Sequence, residues 1–247
     1  MKKIKTILIW CLNKVKAFFP WYKNLYKGRA WYTKTLIGFA SCIAAFIIYL
    51  GMVDINFLWL FGKSPGFYTI MNPETHEASE IYSADGVLIG KYFNENRTPV
   101  AYEDVNPVFW KALIDTEDER FYSHHGIDYT GLVGAVKDAV MHHDARGAST
   151  ITQQLAKNMF RVRTDYSTGL LGKIPGVRML IMKSKEWIIA TKLEITHSKK
   201  EIITMYANTV DFGSNAFGIK TAAKTYFNCT PKELTTEQAA VLVGMLK

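Results

Sequence analysis

The sequence predicts a mainly α-helical protein with one transmembrane helix near its N-terminus. Residues 36–53 form an uncharged apolar run, and from residue 106 onward apolar residues recur at the three-to-four-residue spacing of amphipathic helices. Strand-like patterns lie within residues 54–105, with a hairpin signal at 79–93. With 49% hydrophobic and 13% aromatic residues, the composition argues against a largely disordered chain.

The positive charge of the chain is concentrated at its N-terminus. The formal charge is +8, yet residues 1–35 contain nine Lys and Arg and no acidic residue. Residues 36–247 therefore carry 21 basic and 22 acidic residues, a net charge of −1. This distribution excludes a uniformly basic nucleic-acid-binding protein and predicts a near-neutral body behind a basic cytoplasmic arm.

Residues 36–53 are predicted to span the cytoplasmic (inner) membrane once. The run approaches the ~20 residues that cross a bilayer core, and it lacks the polar stripe of an amphipathic helix. Nine basic residues precede it and Asp54 follows, so the positive-inside rule places residues 1–35 in the cytoplasm and the rest outside. The arm has a helical rhythm, which suits either a helix on the anionic inner leaflet or a solvated basic tail.

The elements after the span are predicted in chain order. Residues 54–105 read as a short extracytoplasmic stalk with a β-hairpin, in which 79–83 and 87–93 flank an Asp85-Gly86 turn. Asn106 is a predicted N-cap with Pro107 in the first helical turn, and Thr235-x-x-Gln238 is a predicted capping box. Further helices are predicted at 131–141, 149–160, 183–196, 199–207 and 236–246.

The acidic run after the first of these helices has two interpretations. Glu117-Asp118-Glu119 is either a solvated helix end or the site of a general base. Glu117 lies where an apolar helix face meets the polar run, so partial burial can tune its carboxylate for proton transfer.

A second cluster, residues 147–158, reads as a loop that enters a helix. It is either an ordinary Ser/Thr N-cap or an anion site in which free N–H groups are joined by donors from Ser149, Thr150, Gln153 and Lys157. A third cluster pairs Lys183 with Glu186 at i,i+3, ordinarily a surface ion pair that contributes little to stability.

The adjacent histidine pairs, 124–125 and 142–143, lack metal-site spacing, and three cysteines are too few for a disulfide framework.

In combination and order these clusters resemble the family 51 peptidoglycan glycosyltransferase domain, found in class A penicillin-binding proteins and in monofunctional transglycosylases. The resemblance covers about residues 79–247. Five blocks carry it: Glu117-Asp-x-x-Phe121-x-x-His124-x-Gly126; Gly147-Ala-Ser-Thr-Ile-Thr-Gln-Gln154 with Lys157-Asn158; Lys183-x-x-Glu186; Lys200-Glu-Ile-Ile-x-x-Tyr206-x-Asn208; and Gly218-Ile-x-x-Ala222-Ala223-x-x-Tyr226-Phe227.

The resemblance implies a lysozyme-like large lobe and a small membrane-associated lobe, with a glycosyltransferase domain at 106–247 that is cut short at its C-terminal end. It implies polymerisation of lipid II into β-1,4 glycan strands, with inversion and release of undecaprenyl pyrophosphate. The implied partners are lipid II, the growing lipid-linked glycan, the cytoplasmic membrane and other cell-wall synthesis proteins, but no nucleic acid. The resemblance implies no obligatory cofactor. It allows a divalent cation, Mg²⁺ or Mn²⁺, near Glu186.

The resemblance also assigns roles to individual residues. Glu117 matches the family's general base, and Glu186 its second catalytic glutamate. The implied substrate-binding residues are Asp118, Ser149, Thr150, Gln153, Lys157, Arg178, Lys183 and Lys185. Met182 stands where members usually have Arg, so one positive charge near the donor phosphates is missing or supplied elsewhere, with Lys185 as the suggested source.

Two other functions remain open at this stage: a lysozyme-like lytic enzyme acting on peptidoglycan, and a non-catalytic cell-wall scaffold. Lys157 and Arg178 argue against the first, because a glycosidase has no pyrophosphate to stabilise. The presence of both Glu117 and Glu186 argues against the second.

Overall fold

The computed structural model describes residues 2–73, 79–85, 88–92, 98–141, 147–163 and 168–246. This part of the chain is mainly helical, which confirms the predicted class. Its α-helices are α1 Lys2–Tyr26, α2 Trp31–Asp54, α3 Phe67–Met71, α4 Pro107–Glu117, α5 Tyr129–Met141, α6 Ile151–Met159, α7 Val177–Thr196, α8 Lys199–Thr209, α9 Ile219–Phe227 and α10 Thr236–Gly244. The chain forms two compact units, Met1–Met52 and Val53–Lys247.

The first unit contains α1 and almost all of α2. The helical rhythm predicted for the basic arm is confirmed by α1, and α2 contains the predicted run 36–53. Among the described residues, α2 is the one helix that is long and apolar enough to cross a membrane, with a mean hydropathy of 2.3. Its extra first turn carries Trp31 and Tyr32, amphipathic residues of the kind found where a helix leaves a bilayer.

Two strands form the sheet of the described residues. Strand β1 (Ser79–Tyr82) runs antiparallel to β2 (Leu88–Tyr92), with Ser79 opposite Tyr92 and a register shift between Ile81 and Tyr82. The predicted strand pair is confirmed by this register, while Gly86, Val87 and Phe93 of the predicted hairpin lie outside the described residues.

Both sequence-predicted caps are confirmed in the second unit. The Asn106 side chain accepts a hydrogen bond from Val108 N at 3.1 Å and donates one to the Leu234 carbonyl at 3.0 Å. One side chain thus starts α4 and ties it to the segment before α10. Thr235 and Gln238 form the reciprocal capping box at the start of α10.

The core of the second unit brings the chemically interesting segments together. Helix α4 packs against α10, and α6 packs against both α7 and α8. Phe109, Leu113, Leu155, Leu193 and Ile202 are fully buried between these helices. Removal of these side chains from water is the main stabilising term, so the hydrophobic faces fix where α4 ends and α6 begins.

Three helices depart from the sequence prediction. Helix α3 lies within the stretch 54–105, which was predicted as a stalk with a β-hairpin. Helix α7 begins at Val177 instead of residue 183, because Gly176 breaks the chain at φ 82° and the apolar residues after it continue the helix, burying Ile181 and Met182. Helix α9 was not predicted. It is short and contains two Thr residues, so its propensity is weak, and burial of Ala222 and other residues against the core stabilises it.

Candidate active site

Glu117 is the last residue of α4, and α6 holds one of its carboxylate oxygens. Gln154 Nε2 donates to Glu117 Oε2 at 2.7 Å, and Gln154 Oε1 accepts from the Tyr206 hydroxyl of α8 at 2.9 Å. Burial, followed by the nearby charge of Glu117, raises the pKa of Tyr206, so the phenol remains a donor. Glu117 is half-buried, and its Oε1 has no hydrogen-bond partner among the described residues.

Asp118 has a positioning role in the structure. Its carboxylate accepts from His124 Nε2 at 3.0 Å and from the backbone N–H of Ile151 at 2.9 Å. His124 Nδ1 accepts from Gly126 N, so in the neutral ring the proton is on Nε2, which donates to Asp118. Because Asp118 is buried with both oxygens occupied, its expected substrate contact is not supported, and it ties the loop after α4 to the start of α6.

The start of α6 is held by the Gly126 carbonyl. That oxygen accepts from Thr150 Oγ1 at 2.8 Å and from Gln153 Nε2 at 3.0 Å. Thr150 is also the N-cap, accepting from Gln153 N. The N–H groups of Ile151 and Gln153 are therefore occupied, so the structure favours the N-cap interpretation over an anion site made by this helix terminus. The polar groups of Thr150 are likewise used within the protein.

Lys183 joins α7 to the loop before α6. Its ammonium donates to Ser149 Oγ at 2.8 Å, Gln153 Oε1 at 3.0 Å and Glu186 Oε2 at 2.9 Å. Three acceptors use all three N–H groups of a lysine. The Glu186 side chain is only 2% exposed, so this pair is not the weak surface bridge that i,i+3 spacing alone indicates.

A small cavity of about 190 Å³ lies beside Glu186. It is lined by Ser149, Gln153, Gln154, Lys157, Arg163 and Glu186. Arg163 Nε donates to Glu186 Oε1 at 2.9 Å, while its two terminal nitrogens have no partner among the described residues. Lys157 makes no hydrogen bond or ion pair with a described residue, and burial, then the charge of Arg163, lowers its pKa. The cavity thus presents cationic donors that no other described residue uses, and such donors suit an anion.

A second cavity, of about 460 Å³, lies on the Glu117 side. Glu117 and the loop 147–150 line it, together with small residues of α5. Ser149 lines both cavities, so Glu117 lines a cavity that shares a wall residue with the cavity of Lys157 and Arg163. A proton acceptor on one side and anion donors on the other are the parts needed to transfer a group away from a phosphate.

Lys185 lies away from these cavities. Its side chain is fully buried, and Nζ donates to the carbonyls of Gly62 at 2.9 Å and Lys63 at 2.8 Å, in the segment that follows α2. Residues two apart on a helix point about 200° apart, so Lys183 and Lys185 cannot both face Glu186's cavity. Its expected contact with substrate is therefore not supported. Burial lowers the pKa of Lys185 to about 8.

Replacing Lys185 by Met is expected to remove a pH dependence of stability. Below pH 8 the residue is protonated in both the folded and unfolded chain, and the cost of burying its charge is fully present. Between pH 8 and the ordinary value of 10.5, the unfolded chain binds more protons, so the free energy of unfolding rises with pH. Denaturant unfolding of both proteins in detergent across pH 7–10 measures this rise, and parallel curves would contradict it.

Arg163, and not the expected Lys185, places a positive charge beside Glu186. Met182 is buried, whereas Arg163 reaches the Glu186 carboxylate from the segment after α6. Arg163 was missed because the residue spacing within 159–182 does not show which Arg or Lys of this segment contacts Glu186. Arg178 lies on α7 eight residues before Glu186, about 12 Å along the helix, and does not line the small cavity.

The divalent cation considered near Glu186 does not fit the residues present. Each Glu186 oxygen already accepts from a cationic side chain. Within the part of the chain that the structure describes, no three His, Cys, Asp or Glu side chains group as metal ligands. Mg²⁺ and Mn²⁺ require several oxygen ligands, which this donor set does not offer. His142 and His143 lie outside the described residues.

Comparison with known proteins identifies the family. The chain is 38% identical over 184 residues to penicillin-binding protein 1A of Escherichia coli (strain K12), covering 74% of this chain and 20% of that protein. It is 35% identical over 208 residues to penicillin-binding protein 1F of Bacillus subtilis (strain 168), covering 83% and 26%. The chain thus spans about a fifth to a quarter of the length of these relatives. A family model described as Transglycosylase matches residues 85–247, which include both cavities, so the chain belongs to the transglycosylase family.

Proposed function

We propose that this chain is a membrane-anchored peptidoglycan glycosyltransferase that polymerises lipid II into glycan strands. The two cavities that share Ser149 carry the proposal. Among the described residues, Glu117 beside one cavity has a carboxylate oxygen without a hydrogen-bond partner, and Lys157 and Arg163 beside the other have donors without one. Membership of the transglycosylase family supports the same reaction class.

The proposed reaction is a single displacement. The C4 hydroxyl of the acceptor GlcNAc gives its proton to Glu117 Oε1 as its oxygen forms a bond to C1 of the donor MurNAc. The bond from C1 to the phosphate oxygen breaks, and its electron pair leaves with undecaprenyl pyrophosphate. Attack from the face opposite the leaving group inverts the α-linked donor to a β-1,4 product.

The leaving group explains the cations. A pyrophosphate diester carries two negative charges, and Lys157 and Arg163 are two cations beside the cavity whose side chains have donors with no partner in the described part of the chain. Lys183 uses its three N–H groups within the protein, so its role is to hold Ser149, Gln153 and Glu186 in place. A lytic glycosidase has no pyrophosphate, which makes this arrangement less useful to it. Arg178 remains a proposed further anion-binding residue.

We infer the architecture from the resemblance and the exposed surface. The proposed arrangement is a cytoplasmic arm 1–35, a transmembrane helix 36–53, a stalk 54–105 and the glycosyltransferase domain 106–247 with a lysozyme-like large lobe. Exposed apolar side chains in the segment before α7 and in its first turn support a small membrane-associated lobe; they are Leu170, Ile174, Met179 and Leu180. The family match begins at residue 85, inside the proposed stalk, and includes β2.

The proposed location is the cytoplasmic membrane, with the N-terminus inside and the catalytic domain outside. The apolar helix α2 supports the anchor, and the nine basic residues before it support the orientation. Lipid II, the growing lipid-linked glycan and other cell-wall synthesis proteins are the proposed partners.

The function is tested with labelled lipid II in detergent micelles. We expect the protein to convert it into long glycan, and we expect moenomycin, a phosphoglycolipid inhibitor of this family, to stop the conversion. Purified peptidoglycan is incubated in parallel. Release of fragments from it without a lipid-linked donor would favour the lytic alternative, and binding of lipid II without turnover would favour the scaffold.

A further inference from the structure

Three helices meet at the side chain of the proposed base. Glu117 ends α4, Gln154 lies on α6 and Tyr206 lies on α8. The Gln154 amide bridges the other two: its nitrogen donates to Glu117 Oε2 at 2.7 Å and its oxygen accepts from the Tyr206 hydroxyl at 2.9 Å. Tyr206 is buried, and Gln154 is half-buried at the cavity wall.

The Gln154 amide has two ends of nearly the same shape, so its neighbours decide which one faces Glu117. A carboxylate only accepts hydrogen bonds, and it repels the amide oxygen. The Tyr206 hydroxyl is the element that breaks the symmetry, because a protonated phenol donates to the amide oxygen and leaves the NH₂ group for Glu117. If this hydroxyl is removed, that preference is weakened.

We propose that Gln154 is a positioning residue for Glu117, and that Tyr206 acts through Gln154 by setting the orientation of its amide. The proposal rests on the proposed function, since it assigns both residues to the base of that reaction. Holding Oε2 fixes the carboxylate group and leaves Oε1 as the oxygen that takes the acceptor's proton. A displacement of about 1 Å at a reacting group costs on the order of 100-fold in rate.

A double-mutant cycle tests the relay by steady-state kinetics on lipid II. Gln154→Ala is expected to lower kcat about 10- to 100-fold with little change in KM, because the substrate contacts stay while the base loses its hold. Tyr206→Phe is expected to lower kcat by a smaller factor, about 3- to 10-fold. The double variant is expected to match Gln154→Ala alone, because Tyr206 has nothing left to orient.

Two further variants keep the test decisive. Gln154→Glu retains the shape and replaces the donor by an acceptor, so it is expected to lower kcat even if Gln154→Ala fails to fold. Tyr226→Phe is the matched control: its hydroxyl donates to the Phe212 carbonyl at 2.9 Å, the same length as the Tyr206 bond. No hydrogen bond among the described residues connects this hydroxyl to Glu117. We expect its kcat to be unchanged.

Specific results would overturn the relay. The first is a double variant whose loss of kcat equals the product of the two single losses. The second is a Gln154→Ala or Tyr206→Phe variant in which only KM changes. The third is a loss of kcat in Tyr226→Phe as large as that in Tyr206→Phe. These results differ from failure of the proposed function, in which the wild-type protein itself makes no glycan from lipid II.

Discussion

Replacing Glu117 by Gln is expected to abolish glycan polymerisation and to leave the fold intact. The amide has nearly the same shape as the carboxylate, and its oxygen still accepts from Gln154, but it cannot take the acceptor's proton. General-base catalysis contributes about 10²–10⁴-fold, so the rate of polymer formation from labelled lipid II is expected to fall by at least that range. Thermal unfolding followed by circular dichroism checks that the fold is retained.

A matched surface variant separates this effect from a general loss of charge. Glu237→Gln changes the same chemical group on the exposed first turn of α10, where its loss affects helix stability by only a few tenths of a kcal/mol. This variant is expected to polymerise lipid II at the wild-type rate. Wild-type turnover by Glu117→Gln itself would show that another group is the base.

Replacing Gly126 by Ala is expected to destabilise the second unit more than any other small change considered. Gly126 has φ +86°, a conformation that costs an L-residue about 1–2 kcal/mol. An added Cβ would also lie 2.9 Å from the Ala190 carbonyl carbon and 3.2 Å from Thr191 N, both backbone atoms of α7. Because backbone cannot move aside as a side chain can, the total loss is expected to be about 2–5 kcal/mol.

The Gly126→Ala change is also expected to lower activity, because the added Cβ would push α7 away from the loop. The Gly126 carbonyl holds Thr150 and Gln153, and α7 carries Lys183 and Glu186, so both walls of the small cavity shift together. Denaturant unfolding and lipid II polymerisation are expected to decline in parallel.

Gly134→Ala in α5 is the control for the glycine change. Apart from the backbone of α5 itself and the two neighbouring residues, no described atom lies within 4 Å of the added Cβ. A helical alanine is favoured over glycine by up to about 1 kcal/mol. Its free energy of unfolding is expected to equal or exceed that of the wild type. A wild-type-like stability of Gly126→Ala would mean that the loop and α7 can separate without cost.

The features that sequence reasoning predicted are those determined by neighbouring residues. The caps at Asn106 and Thr235 involve hydrogen bonds across two or three positions, and both form as expected. The apolar run 36–53 defines its helix by composition alone. The first turns of α7 and all of α9 were missed, because packing against distant helices stabilises them beyond their weak local preference.

Sequence reasoning predicted which residues belong to the candidate site, but it did not predict how they contact one another. The structure brings Ser149, Gln153, Lys157 and Glu186 around one cavity. Lys183 donates hydrogen bonds to Ser149, Gln153 and Glu186. It turns Asp118 and Thr150 inward as ties between loop and helix.

Sequence alone determined the helical class, the apolar membrane-length helix, the basic arm and the types of residue available for catalysis, because these depend on composition and short spacings. Tertiary structure decided which charges are available. Lys185 donates to two backbone carbonyls, and Arg163 donates to Glu186. Tyr206 donates to Gln154, which lies 52 positions earlier in the sequence. A hydrogen bond between residues so far apart depends on how α6, α7 and α8 pack, and no local pattern encodes that packing.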